Sequence, residues 1–594
     1  MSPKHFYQAT YPTSLRASHS NLVLSFYKAL REQTDDREYD QPCRESPLLM
    51  PETPMSLPAA LTLLRQFTPH YLTCLSTVLL MVASNHAVAN EVLHLNLRTR
   101  AQVAPGMNQY RETLETATWQ ADQTAIVICD MWNDHYCRNA ARRVAEMAPR
   151  MNEVLNKARA QGVLIIHSPS GCMNQYEGTP QRKLAQQAPR FKTRLPLQGW
   201  CYRDEKQESV LPVKVDQPSD DDGTIRKAVR FFDRQIATLQ IKKGDAITDS
   251  AEAFYLMEQR GIKNVIIMGV HTNMCVLGRP FGIRQLVYQG KNVVLMRDMT
   301  DSMYNPRDEP YVNHYTGNDL VFEHIERFWC PTVTSADILG GKPFRFPGDK
   351  RQHLVVVMAE SEYETSRTLP AFALKHFGAF FKITCVYANA DNRNDLPGIE
   401  VLNQADLAIW SIRRRTFPQR QLDVLRKYLA DGKPLVALRT TSHAFSLREG
   451  QPAKGLQQWP DFDQQVLGGN YHDHYPNEAK TFVQPLQAAA GHPILDGIAL
   501  SEFRVFGSLY KNHPLATTAA PLMLGRVAAA EMAEPVAWTH QRPNRGRIFY
   551  TSLGHPQSFE VPQFQRLLRN ATYWAAGLPS PPLRPRPASL TQTK

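Results

Sequence analysis

Two apolar runs in this chain stop at residues that could act together. The run NVIIMG leads into Gly269–Cys275, GVHTNMC, and the run TAIVIC leads into Asp130. A thiol delivered by a strand to the start of a helix meets unpaired N–H groups. These favour thiolate and offer donors to a developing oxyanion. An aspartate at a neighbouring strand end is a carboxylate that can take the thiol proton and return it to a leaving amine. The pair therefore reads as nucleophilic acyl chemistry through a thioester that water then opens. The structural alternative for Cys275 is a small buried hydrophobe.

These strand ends resemble the isochorismatase-like cysteine hydrolases, which include nicotinamidases and N-carbamoyl amidohydrolases. The resemblance runs from about residue 124 to residue 334. It implies a triad of Asp130, a lysine and Cys275. The lysine is expected on the strand before the helix that leads to the cysteine strand, where ATLQIKKGDAITDS offers Lys243, with Lys242 left open and a surface pair as the structural alternative. The resemblance also implies a cis peptide between Val270 and His271, aiming the amides of His271 and Cys275 at the oxyanion. In DMWNDHYC, Trp132 stands where many relatives have a polar residue. Trp132 and His135 become substrate-binding candidates. His135 and His167 do not match the spacing of a nicotinamidase metal site, so no metal and no cofactor is expected.

A second set of candidates lies beyond residue 353. His443 follows PLVALRTTS, His472 and His474 lie in VLGGNYHDHYPNE, and His555 lies in SLGHP. If brought together they could form a sugar or metal site, while each alone is an ordinary loop histidine. These stretches resemble the trehalose-utilisation (ThuA-like) family, a flavodoxin-like fold related to class I glutamine amidotransferases. Thr440, Thr441, Ser442 and His443 occupy the region where a glutaminase needs its cysteine, so that chemistry is not expected here.

Positioning such groups requires parallel sheets. TAIVICD, VLIIHSP, NVIIMGV and NVVLMRD alternate with helical patterns, among them Val144, Met147, Met151, Val154, Leu155 and Ala158 at helical spacing. HLVVVMAE, FKITCVYA, ADLAIWSI and PLVALRTT repeat the pattern. Near-continuous apolar strands between helices predict an α/β chain with two doubly wound parallel sheets, buried on both faces. Catalytic groups in such sheets sit at strand carboxyl ends. The segment 171–223 is too long for a plain connection and is expected to cover the site as a lid. Its run Asp220–Asp222 lacks the spacing of a calcium loop and reads as a solvated turn.

A chain of 594 residues exceeds a single core. The expected organisation is a leader at 1–54, a signal peptide at 55–89, a hydrolase domain at 90–339, a Gly/Pro-rich linker at 340–352, a ThuA-like domain at 353–577 and a disordered tail at 578–594. LTCLSTVLLMVA followed by Ala87-Val88-Ala89 has the layout of a cleavable export signal, and the run is too short for a retained membrane anchor. The expected location is therefore periplasmic or extracellular. Of nine cysteines, seven lie after that site, an odd number compatible with one free thiol. The formal charge of +12 is scattered, with no nucleic-acid-binding motif, so no nucleic-acid partner is expected. Homo-oligomerisation is left open.

Two readings of function follow. In one, the chain is an exported hydrolase acting on the C–N bond of a small amide, ureido or carbohydrate-linked substrate. In the other, it captures or utilises carbohydrate without thiol chemistry, and the ThuA-like half carries the main role.

Overall fold

The computed structural model describes residues 91–214, 231–477, 479–528 and 532–581. The expected leader, export signal and acidic turn at 220–222 lie outside the described residues, as does most of the tail. Among the described residues, no helix is long and apolar enough to cross a membrane.

Eight strands form the first sheet: β1 (Val92–Gln102), β2 (Tyr110–Gln120), β3 (Thr124–Cys129), β4 (Leu164–Ser168), β5 (Ala246–Ile247), β6 (Asn264–Val270), β7 (Asn292–Asp301) and β8 (Thr332–Val333). Their order is β2-β1-β8-β7-β6-β3-β4-β5. The six strands from β8 to β5 run parallel, and the β1–β2 hairpin adds an antiparallel edge. Side-chain alternation divides β3 between two cores. Ala125, Val127 and Cys129 enter one with Val265 and Ile267, while Ile126 and Ile128 enter the other with Met268 and Met147. The helix Arg138–Ala160 covers the second face with the residues picked out by its periodicity. The connection from β3 goes to β4 on one side, whereas β6 lies on the other. A crevice therefore opens between the carboxyl ends of β3 and β6.

The second sheet contains β9 (Gln352–Ala359), β10 (Phe381–Tyr387), β11 (Leu407–Ile412), β13 (Leu435–Leu438), β16 (Thr481–Pro485), β17 (Phe503–Val505), β19 (Ala519–Arg526), β20 (Glu534–Gln541) and β21 (Arg547–Thr551). The order is β10-β9-β11-β13-β21-β20-β19-β16-β17. The first five are parallel and the last four extend the sheet antiparallel. Two short ribbons complete this half: β12 (Phe417–Pro418) with β14 (Leu456–Gln457), and β15 (Asp473–His474) with β18 (Tyr510–Lys511). Again β9 alternates, with Leu354, Val356 and Met358 on one face and Val355, Val357 and Ala359 on the other.

The segment between the sheets is anchored to the first half at several points. Residues 340–343 are exposed, but Phe344 and Phe346 pack on the first core. Arg351 binds Asp319 at 2.8 Å and Thr316 at 2.9 Å. Leu374 packs against the first half's core and Val103 against the second's, and the Asn313 amide donates to Gly378 at 3.0 Å.

Candidate active site

Asp130 leaves β3 with a left-handed φ of 49°, a conformation aspartate tolerates better than most residues. Its amide donates to the Ser168 carbonyl at 3.0 Å, and its Oδ1 accepts the Ser170 amide at 2.8 Å. Its Oδ2 is buried without a hydrogen bond and lies 3.5 Å from Nε of Arg279.

Beside it, β6 passes close enough that a Cβ on Gly269 would sit 2.0 Å from the Cys129 carbonyl oxygen, and Gly269 has φ +109°. No other residue fits there. The next peptide but one, Val270–His271, is cis. The turn is fastened to β7 and beyond. Thr300 Oγ1 donates to the Gly269 carbonyl at 2.6 Å, and the Thr272 amide donates to that of Asp301 at 2.9 Å. Asn273 Nδ2 donates to the Met303 carbonyl at 2.8 Å. Asp301 is itself buried in a cage of Arg143 (2.7 Å), His314 (2.7 Å) and Asn318 (2.9 Å). Against the penalty of burial, Arg143 and His314 hold its carboxyl well below the usual range.

Cys275 opens a helix of a single turn, Cys275–Gly278, and Arg279 follows one turn after the thiol. That spacing brings the guanidinium back toward the Cys275 thiol and Asp130. Trp200, from the long segment after β4, lies 5.6 Å from the Arg279 guanidinium and against Gly278, and the Cys201 amide donates to the Gly278 carbonyl at 2.6 Å. This part of the expected lid therefore reaches the site.

The electrostatics differ from the expected resting thiolate. Burial, then the charge of Asp130, push the Cys275 thiol up, with Arg279 opposing. Burial also raises the Asp130 carboxyl, while Arg279 and Ser170 hold it down. For Arg279, burial works against the cation, but Asp130 and the nearby thiols outweigh it and raise its pKa. A one-turn helix is too short to supply the N-terminal field that the sequence suggested.

Lys243 is corrected. It is exposed in the turn before β5, where Ala246 pairs with Ile166 of β4. It therefore lies toward the strand's amino end, while Asp130 and Cys275 lie at carboxyl ends. Lys242 is also exposed and donates to Asn156 at 2.8 Å. The carboxyl end of β5 carries Thr248 and Asp249, not a lysine. The cation beside Asp130 is Arg279. Its place four residues after the cysteine gave no signal in the sequence that it would reach Asp130.

His271 is buried beside His135, their rings 5.1 Å apart. Burial, then His135, push its imidazole down to about 3, so it stays neutral. Trp132 stacks on Phe232 at 4.2 Å and donates to the Ser170 carbonyl at 3.1 Å. His167 is held between Gln235 (2.9 Å) and Asp245 (3.2 Å). Among the described residues, no cluster of three or more His, Cys, Asp or Glu side chains could hold a metal ion.

A cavity of about 570 Å³ opens at the carboxyl ends of the second sheet. It brings together His443, His474 and His555 with Tyr363, Tyr471 and Tyr510. His443 stacks on Tyr471 at 4.4 Å, and Tyr471 Oη lies 3.2 Å from His474 Nδ1. Burial, then Arg414 and Arg413, hold His443 well below the usual histidine range. His472 does not join the cavity lining. It is exposed, with Nδ1 2.9 Å from the Asn470 carbonyl. The strained residue after β13 is Arg439, with φ 46°, and not one of the threonines. Its guanidinium donates to Ser552 O (2.8 Å), Tyr363 Oη (3.2 Å) and Ser508 Oγ (3.2 Å). The turn where an amidotransferase needs a nucleophile thus holds a buried cation.

Residues 354–575 match the ThuA family model, described as trehalose utilisation, and form a ThuA domain. No curated protein matches the chain. Among solved structures, it is similar to a ThuA-like protein from Bacteroides uniformis at 16% identity, covering 40% of this chain and 95% of that one, with a TM-score of 0.30. A cysteine hydrolase from Pseudomonas syringae pv. phaseolicola is 16% identical over 37% of this chain and 92% of its own, with a TM-score of 0.24. An N-carbamoylsarcosine amidase from Thermoplasma acidophilum is 12% identical over 36% of this chain and 96% of its own, at 0.20.

Proposed function

We propose that the first half is a cysteine hydrolase of small amide or ureido C–N bonds, joined to a carbohydrate-associated ThuA domain. The observation that carries this is the convergence of Cys275, Asp130 and Arg279 at two adjacent strand ends, with Asp130 Oδ2 and Arg279 Nε buried and without hydrogen-bond partners. Because the resting thiol is protonated, proton transfer to Asp130 accompanies attack of Sγ on the carbonyl carbon. The amides of His271 and Cys275 are the candidate oxyanion donors. The C–N bond then breaks, Asp130 returns the proton to the departing nitrogen, and a thioester remains. Water, deprotonated by Asp130, opens the thioester and regenerates the thiol. Arg279 steadies the carboxylate and the transient thiolate.

The test is a panel of amides, ureides and modified sugars given to the full chain, with released ammonia or amine measured. Cys275→Ala should lower turnover of any substrate found by at least about a hundredfold. Unchanged turnover in that variant would remove the thiol from the mechanism. A second reading, in which the ThuA half binds carbohydrate, is favoured by the tyrosine-lined cavity. It is tested by sugar binding to the Cys275→Ala protein.

A further inference from the structure

Next to the tyrosine-lined cavity lies another, of about 470 Å³, lined by Arg393, Asn394, Arg413, Arg414, Leu447 and Arg448. Arg413 and Arg448 line both. Together the two cavities are lined by four guanidinium groups and one carboxylate, that of Glu362, which pairs with Arg413. The other arginines find only neutral acceptors or none among the described residues. Arg393 donates to the Arg414 carbonyl at 3.3 Å, and Arg414 donates to the Ser446 carbonyl at 3.4 Å. The Nε atoms of Arg413 and Arg414 are buried with no partner.

The backbone holds this cluster against the histidine site. Arg414, with φ 45°, donates its amide to the His443 carbonyl at 3.0 Å, and the Arg415 amide donates to that of Ala444 at 2.7 Å. Burial, together with the charges of Arg448 and Arg413, pulls the Arg414 guanidinium down, and burial with Arg393 pushes Arg415 down to about 10. Partly buried like charges repel one another, and a bound anion relieves that cost through charge-assisted, bidentate hydrogen bonds. The aromatic walls next door suit a sugar ring, whose apolar face stacks on tyrosine.

We propose that the ThuA half takes an anionic sugar, its ring in the tyrosine-lined cavity and its phosphate, sulfate or carboxylate group among Arg393, Arg413, Arg414 and Arg448. The proposal rests on the carbohydrate reading of that cavity and is independent of the cysteine chemistry.

Calorimetry on the full chain tests it, with inorganic phosphate, a neutral hexose, the hexose 6-phosphate and the hexuronate as probes. Arg393 and Arg448 are exposed, so the double variant Arg393→Gln/Arg448→Gln should retain the fold, checked by circular dichroism. Phosphate binding should weaken by at least about tenfold in it, and one of the anionic sugars should bind wild type at least about tenfold more tightly than the neutral hexose. Which of the two binds more tightly identifies the anionic group. Equal phosphate binding by wild type and the double variant, or no phosphate binding at all, overturns the anion subsite. Arginine-dependent phosphate binding with no gain from either attached sugar overturns the carbohydrate reading and leaves the anion subsite standing.

Discussion

At the residue scale, the distinctive feature is that the Cys275 thiol and the Asp130 carboxyl share one low-dielectric space with an arginine. Burial and Asp130 both raise the thiol, so Cys275 should alkylate no faster than free cysteine at about pH 7, and faster as the pH rises. Peptide mapping after a timed iodoacetamide pulse measures this for each cysteine. Asp130→Asn should accelerate alkylation, because it removes the charge that disfavours thiolate, while lowering turnover by at least about a hundredfold. A neutral structural aspartate would not produce that opposition. Arg279 lowers the Asp130 carboxyl, so the acid limb of kcat/KM should move to higher pH in Arg279→Ala, where more base is protonated at a given pH. Lys243→Ala should leave turnover within about twofold, since the side chain lies in water away from the site. Both are read from the pH–rate profile of the substrate found in the panel.

At the element scale, each site is built where neighbouring parallel strands send their connections opposite ways. In the second half, the loop after residue 468 must also be held against the sheet. Asp463 does this: its Oδ2 accepts the Tyr471 amide at 2.7 Å, and Tyr471 carries the stacking contact to His443. Burial pushes the Asp463 carboxyl up to about 7. The folded protein therefore binds a proton there that the unfolded chain has already lost above the ordinary carboxylate range. The resulting stabilisation is fully present below that range and is lost as the pH rises through about 7. Asp463→Asn should remove this contribution to the pH dependence. Thermal unfolding followed between about pH 4 and pH 8 should show wild type losing stability relative to Asp463→Asn from about pH 4 up to about pH 7, with the difference levelling off above.

At the scale of the whole molecule, the two sheets meet through charge as well as through Leu374 and Val103. Glu112 on β2 is partly buried, a penalty opposed by Arg98, Arg100 and, from β10, Lys382, which together hold its carboxyl below the usual range. The sequence alone suggested a Gly/Pro-rich linker at 340–352 between two independent domains. With residues 340–343 the longest exposed run between anchored neighbours, a protease should nick there and leave the fragments associated. Size-exclusion chromatography of the nicked protein should give one peak under native conditions and two species only in denaturant. Fragments that part without denaturant would mean that the halves do not depend on this contact.

The sequence by itself determined the parallel sheets, since near-continuous apolar strands separated by amphipathic helices have no other way to bury both faces. It also placed Cys275 and Asp130 at strand ends, because a strand's end is marked locally by where its apolar run stops. The cation beside them could not be read that way. Lys243 and Thr248 are only five residues apart, yet they lie at opposite ends of β5, and a one-letter string carries no direction toward the crevice. His443, His474 and His555 were legible as candidates, but that they meet while His472 points elsewhere depends on the β15–β18 ribbon. Arg279, Arg439 and the arginine cluster were ordinary basic residues in the sequence. Tertiary structure decided their roles, because the energy of a charge depends on what surrounds it in space, and burial beside Asp130 or among other arginines appears only when distant strand ends come together.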